Sequence, residues 1–232
     1  MKFSEPLLRG TLLKRYKRFL SDIELPDGEQ VVAHCANPGA MLGLNQAGSE
    51  VWLSRAKNPS RKLAYSWELI RVDRHLVGIN TGLPNAIVAE AIGAGRIAEL
   101  RGYDSLRREV RYGVNSRIDL LLESPGKPTC YMEIKNVHLK RGPAAEFPDC
   151  PTLRGAKHLR ELTEMVAQGH RAVMVYLVQR GDCGYFAIAD DLDPAYGRAF
   201  REALQQGVEA ICYTCKVAVD GIEIDGALPI RV

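Results

Sequence analysis

Two carboxylates and a lysine, set in adjoining apolar runs, are the groups in this chain best placed to do chemistry. Asp119 lies in Ser116-Arg117-Ile118-Asp119-Leu120-Leu121-Leu122. Glu133 and Lys135 lie in Cys130-Tyr131-Met132-Glu133-Ile134-Lys135. Both runs read as strands, and Glu123-Ser124-Pro125-Gly126-Lys127-Pro128-Thr129 reads as the turn between them. Side chains alternate along a strand, so Glu133 and Lys135 share a face and Ile134 points the other way. A hairpin symmetric about Gly126 sets Asp119 opposite Glu133. Unpartnered acids beside an apolar sheet are costly, and a divalent cation between them removes their repulsion. Mg²⁺ is held by one or two carboxylates, water and phosphate oxygens. It polarises a phosphorus centre and lowers the pKa of bound water. Lys135 would hold the attacking water or neutralise developing charge. A lone Glu-x-Lys is more simply a solvated ion pair worth little; the facing Asp119 and the apolar flanks favour a site.

The elements that must position these groups fall into two parts. Residues 1–80 read as β-rich, with strands expected over residues 18–25, 30–35, 50–56, 63–72 and 75–80. Five short strands in that length suit a small OB-like barrel. Beyond Thr81-Gly82-Leu83-Pro84 the character changes. A helix is predicted over 85–94, with Ile87 and Ala91 on its apolar face and Glu90 near that face. After the acid-bearing hairpin comes a Gly- and Pro-containing loop over 141–151, then a helix over 153–168. Strands are expected over 172–178, 185–189, 210–219 and 221–224. A helix over 194–206 carries Asp193 as its N-cap and Pro194 at its first position. This order implies a mixed sheet flanked by helices, and so an α/β (α+β) chain with units over 1–80 and 81–232.

The 232 residues carry a net charge of only +3, so the distribution of charge matters more than its sum. Lys2, Arg9, Lys14, Arg15, Lys17 and Arg18 face Glu5 alone in the first twenty residues. Arg101, Arg107, Arg108, Arg111 and Arg117 cluster again further on. Each stretch suits phosphate contact, and each suits a solvated basic face equally well. Cys35, Cys130, Cys150, Cys183, Cys212 and Cys215 mostly sit in apolar runs. The lone Cys212-x-x-Cys215 lacks the two further ligands zinc needs, so core packing is the better reading. No apolar run reaches the ~20 residues of a membrane span, and Met1-Lys2-Phe3-Ser4-Glu5-Pro6 does not read as a signal-peptide core. A soluble, cytoplasmic protein is expected.

Several segments together resemble the sugar fermentation stimulation protein A family across essentially the whole chain. They are Arg15-Tyr16-Lys17-Arg18-Phe19, Asn37-Pro38-Gly39-Ala40-Met41-Leu42, Asn80-Thr81 with 85–90, Asn115-Ser116-Arg117-Ile118-Asp119, Glu133-Ile134-Lys135-Asn136-Val137, and Phe147-Pro148-Asp149 on to Arg154 and Lys157-His158-Leu159. The resemblance implies an amino-terminal OB-fold and a carboxy-terminal PD-(D/E)xK nuclease-like, restriction-endonuclease-like α/β/α domain. It also implies DNA binding linked to sugar, notably maltose, utilisation in bacteria. On this pattern Asp119 is the first acid, with Ile118 in place of the proline, and Glu133 and Lys135 are the (D/E)xK pair. The Ile134 carbonyl becomes a metal ligand and Glu90 the helical acid. Pro38 and Ala40 depart from the Thr and Ser often found there.

The resulting site assignment is Asp119, Glu133, Lys135 and Glu90 for catalysis. Asp119, Glu133, Ile134 and Glu90 are expected to hold Mg²⁺ or Mn²⁺. Lys14, Arg15, Tyr16, Lys17, Arg18, Arg117, Arg154, Lys157 and His158 are expected to meet nucleic acid, DNA first. His158 and Glu161 also suit an exposed helix face with a Lys157–Glu161 pair. Tyr16, Phe19, Tyr65 and Trp67 would stack bases, or else fill the barrel core. Three functions compete: a metal-dependent nuclease, a non-catalytic DNA-binding regulator of sugar metabolism, and an RNA-binding module. Self-association as a homodimer is left open.

Overall fold

The computed structural model describes residues 1–58, 60–113 and 116–232. Asn115, quoted above in the family pattern, lies outside them.

Six strands open the chain: β1 (Leu8–Tyr16), β2 (Leu20–Glu24), β3 (Gln30–Cys35), β4 (Glu50–Arg55), β5 (Tyr65–Val72) and β6 (His75–Gly78). They run in the order β3-β2-β1-β4-β5-β6, and a parallel pairing of β3 with β5 closes the first five into a barrel. This is the OB arrangement. In β3 the alternation puts Val31, Ala33 and Cys35 inside and leaves Gln30 and Val32 exposed. Leu12, Ile23, Leu53, Trp67 and Ile70 fill the interior with them. β1 and β2 cross closely at Gly10, where an added Cβ would sit 2.6 Å from Ile23 Cγ2. The stretch read from sequence only as a basic surface is thus largely strand β1. A register shift between Leu12 and Lys14 interrupts its alternation, which hides it from a period-two reading.

The second unit comprises α1 (Pro84–Gly93), β7 (Ser105–Tyr112), β8 (Ser116–Glu123), β9 (Cys130–Val137), β10 (Leu139–Arg141), β11 (Ala144–Phe147), α2 (Leu153–Ala167), β12 (Arg171–Val178), β13 (Tyr185–Ile188), α3 (Pro194–Gln205), β14 (Glu209–Ala218), β15 (Gly221–Ala227) and β16 (Ile230–Arg231). Its main sheet has the order β15-β14-β12-β9-β8-β7. β9, β12 and β14 are parallel, and the outer strands antiparallel. Helices cover both faces, giving the restriction-endonuclease-like α/β/α layering. Central β12 is an almost unbroken apolar run because it is buried on both sides. Val173, Val175 and Leu177 face one core with α1, while Met174, Tyr176 and Val178 face the other with α2 and α3. Trp52 and Leu69 of the barrel join the first core.

Three details correct the sequence reading. The basic run before β8 contains edge strand β7. The stretch read as a loop over 141–151 contains β11 and the end of β10. β13 belongs to a second small sheet, β10-β11-β13-β16, rather than to the main one. The helix caps agree with expectation: Asp193 accepts from Tyr196 N at 3.0 Å. Its other oxygen accepts from Thr152 N at 2.7 Å, tying the starts of α2 and α3 together. Cys212 and Cys215 are free and buried in opposite cores. Among the described residues no helix is long and apolar enough to cross a membrane.

Candidate active site

The β8–β9 pairing runs Leu122↔Cys130, Leu121↔Tyr131, Leu120↔Met132. One further step in that register sets Asp119 against Glu133. There Asp119 turns toward β9, and its Oδ2 accepts the Ile134 amide at 2.7 Å. Its Oδ1 accepts from Asn85 Nδ2, in the first turn of α1, at 2.8 Å. Glu133 is 3 % exposed. Its Oε1 accepts from Lys135 Nζ at 2.8 Å and is bonded to His158 Nδ1 of α2. Its Oε2 is buried with no partner among the described residues. His158 Nε2 accepts from Arg154 Nε at 3.2 Å, which leaves Nδ1 as the protonated nitrogen that donates to Glu133.

The two carboxyls are driven apart in acidity. Burial and then the Glu133 charge raise Asp119 above the ordinary carboxylate range, against the bonds from Ile134 and Asn85. Burial also pushes Glu133 up, but the Lys135 charge and the His158 bond outweigh it and hold Glu133 low. Glu133 therefore ionises first, and Asp119 feels that charge. Such splitting of neighbouring acids marks sites that handle protons or cations.

These groups line a cleft of about 470 Å³ between the second unit and the barrel loop Asn37-Pro38-Gly39. The loop is held from both sides. Arg15 donates to the carbonyls of Asn37 and Gly39 at 2.8 and 2.9 Å, and Arg18 to that of Pro38 at 2.9 Å. Across the cleft Asp149 Oδ2 accepts from Met41 N at 2.8 Å and from His138 Nε2 at 3.2 Å. Gly39 is required here, because a Cβ would lie 2.5 Å from Asp149 Oδ2.

Burial raises the Asp149 carboxyl, but the His138 bond and charge and the Met41 amide outweigh it and hold it at about 2. A depressed carboxyl stabilises the fold above its unfolded pKa and loses that effect as pH falls through the folded one. Asp149 should therefore contribute about 2 kcal/mol above pH ~4, vanishing as pH falls toward ~2. Urea unfolding of wild type and Asp149→Asn at stepped pH checks this. Their stability gap should close between pH ~4 and ~2; a gap constant over that range contradicts it.

The expected site residues divide as follows. Asp119, Glu133, Ile134, Lys135, Arg154 and His158 come together in the cleft. Glu90 does not: its side chain is 60 % exposed on the outer side of α1 and bonds the Met1 ammonium at 2.8 Å. The helical phase turns it away from the acids. Lys157 leans instead toward Ser116 at 3.0 Å and Glu161 at 3.4 Å. Arg117 is exposed on β8. Lys14 pairs with Asp22 at 3.2 Å, Tyr16 lies 5.4 Å from that lysine, and Lys17 is exposed in the β1–β2 turn. Trp67 is fully buried, so it cannot stack a base, whereas Phe19 is 44 % exposed. Asn85 and the His138–Asp149 pair are site components that sequence reasoning did not assign. The signals for the latter were the position of His138 just after the Glu-x-Lys strand, where it can reach the site but a lone His is more often structural, and the quoted Phe147-Pro148-Asp149 motif.

The chain matches two family models, the SfsA N-terminal OB domain over residues 13–79 and the sugar fermentation stimulation protein RE domain over residues 82–221. A sugar fermentation stimulation protein homolog of Paramagnetospirillum magneticum is 63 % identical, with 98 % of this chain and 97 % of that one covered. The chain belongs to the sugar fermentation stimulation protein family. A second relative, from Rhodospirillum centenum, is 61 % identical over 98 % of each chain. A solved family structure, Pyrococcus furiosus SfsA in complex with Ca²⁺, superposes with a TM-score of 0.92 at 26 % identity, covering 100 % of this chain and 98 % of that one.

Proposed function

We propose that this family member is a divalent-metal-dependent phosphodiesterase acting on nucleic acid, DNA first. Residues 1–80 would grip the strand and residues 81–232 carry the chemistry. The observation that supports it best is the facing pair Asp119 and Glu133, with Glu133 Oε2 buried beside Lys135 and without a partner among the described residues. Buried polar atoms are nearly always satisfied. An ion is a suitable partner for this one, since hard carboxylate oxygens suit Mg²⁺ or Mn²⁺. Among the described residues no three His, Cys, Asp or Glu side chains form a complete ligand set. Two carboxylates, a backbone carbonyl and water are what Mg²⁺ commonly takes. Asp119, Glu133 and the Ile134 carbonyl would hold it. The Ca²⁺ complex of the Pyrococcus furiosus relative supports a divalent cation in this fold.

When bound, the ion supplies Lewis acidity and a water of lowered pKa. The protein supplies position and charge. Asn85 and the Ile134 amide fix Asp119. His158 and Lys135 fix the Glu133 carboxylate. The ammonium of Lys135 stands where it can orient the attacking water and offset charge building on phosphate oxygens. Arg154, on the cleft wall, suits bidentate contact with a phosphate.

Calorimetric titration with Mn²⁺ tests this reading. Wild type should bind one ion in the cleft. Asp119→Asn, which keeps the shape and removes a charge, should weaken binding at least tenfold, about 1.4 kcal/mol or more. Equal affinity in the two proteins would place the ion elsewhere.

A further inference from the structure

Arg111 and Arg117 are direct cross-strand partners on β7 and β8. Residues facing each other in an antiparallel pair project from the same side, with Cβ atoms about 5 Å apart. Like charges in that position destabilise a sheet. Proteins usually answer such a pair with a carboxylate, yet neither guanidinium has a hydrogen-bond or ion-pair partner among the described residues, and both are exposed. With Tyr112, Gly113 and Ser116 they line a hollow of about 500 Å³.

The nearby carboxylate does not serve them. Glu161 Oε1 accepts from Ser116 Oγ at 2.7 Å and pairs with Lys157 at 3.4 Å, while Ser116 Oγ also accepts from Lys157. Tyr112, 8 % exposed, packs its ring into the core with α2 and α3 and contributes only its backbone edge to the hollow. The hollow thus offers two guanidinium forks with no partner among the described residues. That donor set fits a tetrahedral oxyanion, since arginine forks bind phosphate oxygens two at a time. Arg117 precedes Asp119 by two residues on one strand, a rise of about 6.7 Å.

We propose that Arg111 and Arg117 form a second phosphate clamp, holding a backbone phosphate of the same strand whose phosphodiester reaches Asp119 and Glu133. This rests on the phosphodiesterase reading and adds where the strand runs: out of the cleft and along the β7–β8 edge.

The test is fluorescence anisotropy with labelled duplex DNA across a KCl series, in Ca²⁺ buffer, for wild type, Arg111→Gln/Arg117→Gln and a remote control, Arg198→Gln on α3. Each lost phosphate contact lowers the slope of log Kobs against log salt by about 0.9. The double variant should lose about 1.8 and the control should match wild type. The melting temperature of the DNA-free double variant should equal or exceed that of wild type, because a repulsive pair is relieved. An unchanged slope, or a lowered melting temperature showing the arginines to be structural, overturns the clamp alone. A wild type that binds no DNA overturns both the clamp and the function it rests on.

Discussion

Lys135→Ala should slow metal-dependent phosphodiester cleavage by about 100- to 1,000-fold, the usual effect of removing one group that stabilises transition-state charge. Lys135 contacts Glu133 and His158 at 2.8 and 3.3 Å and lines the cleft, so its ammonium serves the acid cluster rather than the apolar core. Its loss opens no core cavity, and His158 still holds Glu133. The variant should therefore melt within a few degrees of wild type and retain most nucleic-acid affinity. Single-turnover cleavage of labelled DNA in Mg²⁺, with melting and binding measured on the same samples, checks this. A Lys135→Ala protein that cuts at the wild-type rate would falsify the role given to the ammonium.

Asp149→Ala should destabilise the protein by about 3 kcal/mol, since it leaves two buried donors unanswered at about 1–3 kcal/mol each. Those donors are the Met41 amide of the barrel loop and His138 Nε2 of the second unit. The same deletion frees one wall of the cleft. His138 is tied onward through Asn136, whose Oδ1 accepts from Gln179 Nε2 at 2.6 Å, so a polar thread runs from the loop to the centre of the main sheet. Urea denaturation at neutral pH measures the change. A loss below about 1 kcal/mol would mean that water replaces the carboxylate and the thread does not hold the loop.

The acid pair is legible in the sequence because its position depends on local rules. Period-two alternation and a Gly126-centred turn suffice to put Asp119 opposite Glu133, and the Leu120↔Met132 register has that symmetry. The barrel is legible in β3 as a short β-branched run between turn residues, although only burial alternates there, since the apolar Val32 faces outward. What escapes depends on irregularity or on long-range contact. The register shift near Leu13 masks β1, and β10 and β11 are too short for any period to show. Glu90 looks like a third acid only until its helical phase is known; its partner is a residue 89 positions away. Arg15 and Arg18 read as free cations, yet they spend donors on carbonyls of a loop about twenty residues downstream. Asn85, the true neighbour of Asp119 on α1, opens the quoted 85–90 segment but carries no charge that would mark it as a partner of Asp119.

The most direct test of the proposed centre is a Mn²⁺-soaked crystal examined by anomalous scattering. The expected result is a single strong peak bound by both Asp119 and Glu133, absent from Asp119→Asn crystals treated identically. A peak elsewhere, or none at saturating Mn²⁺ with both carboxylates still facing one another, would contradict the metal-dependent reading and leave the pair as a structural feature of the sheet.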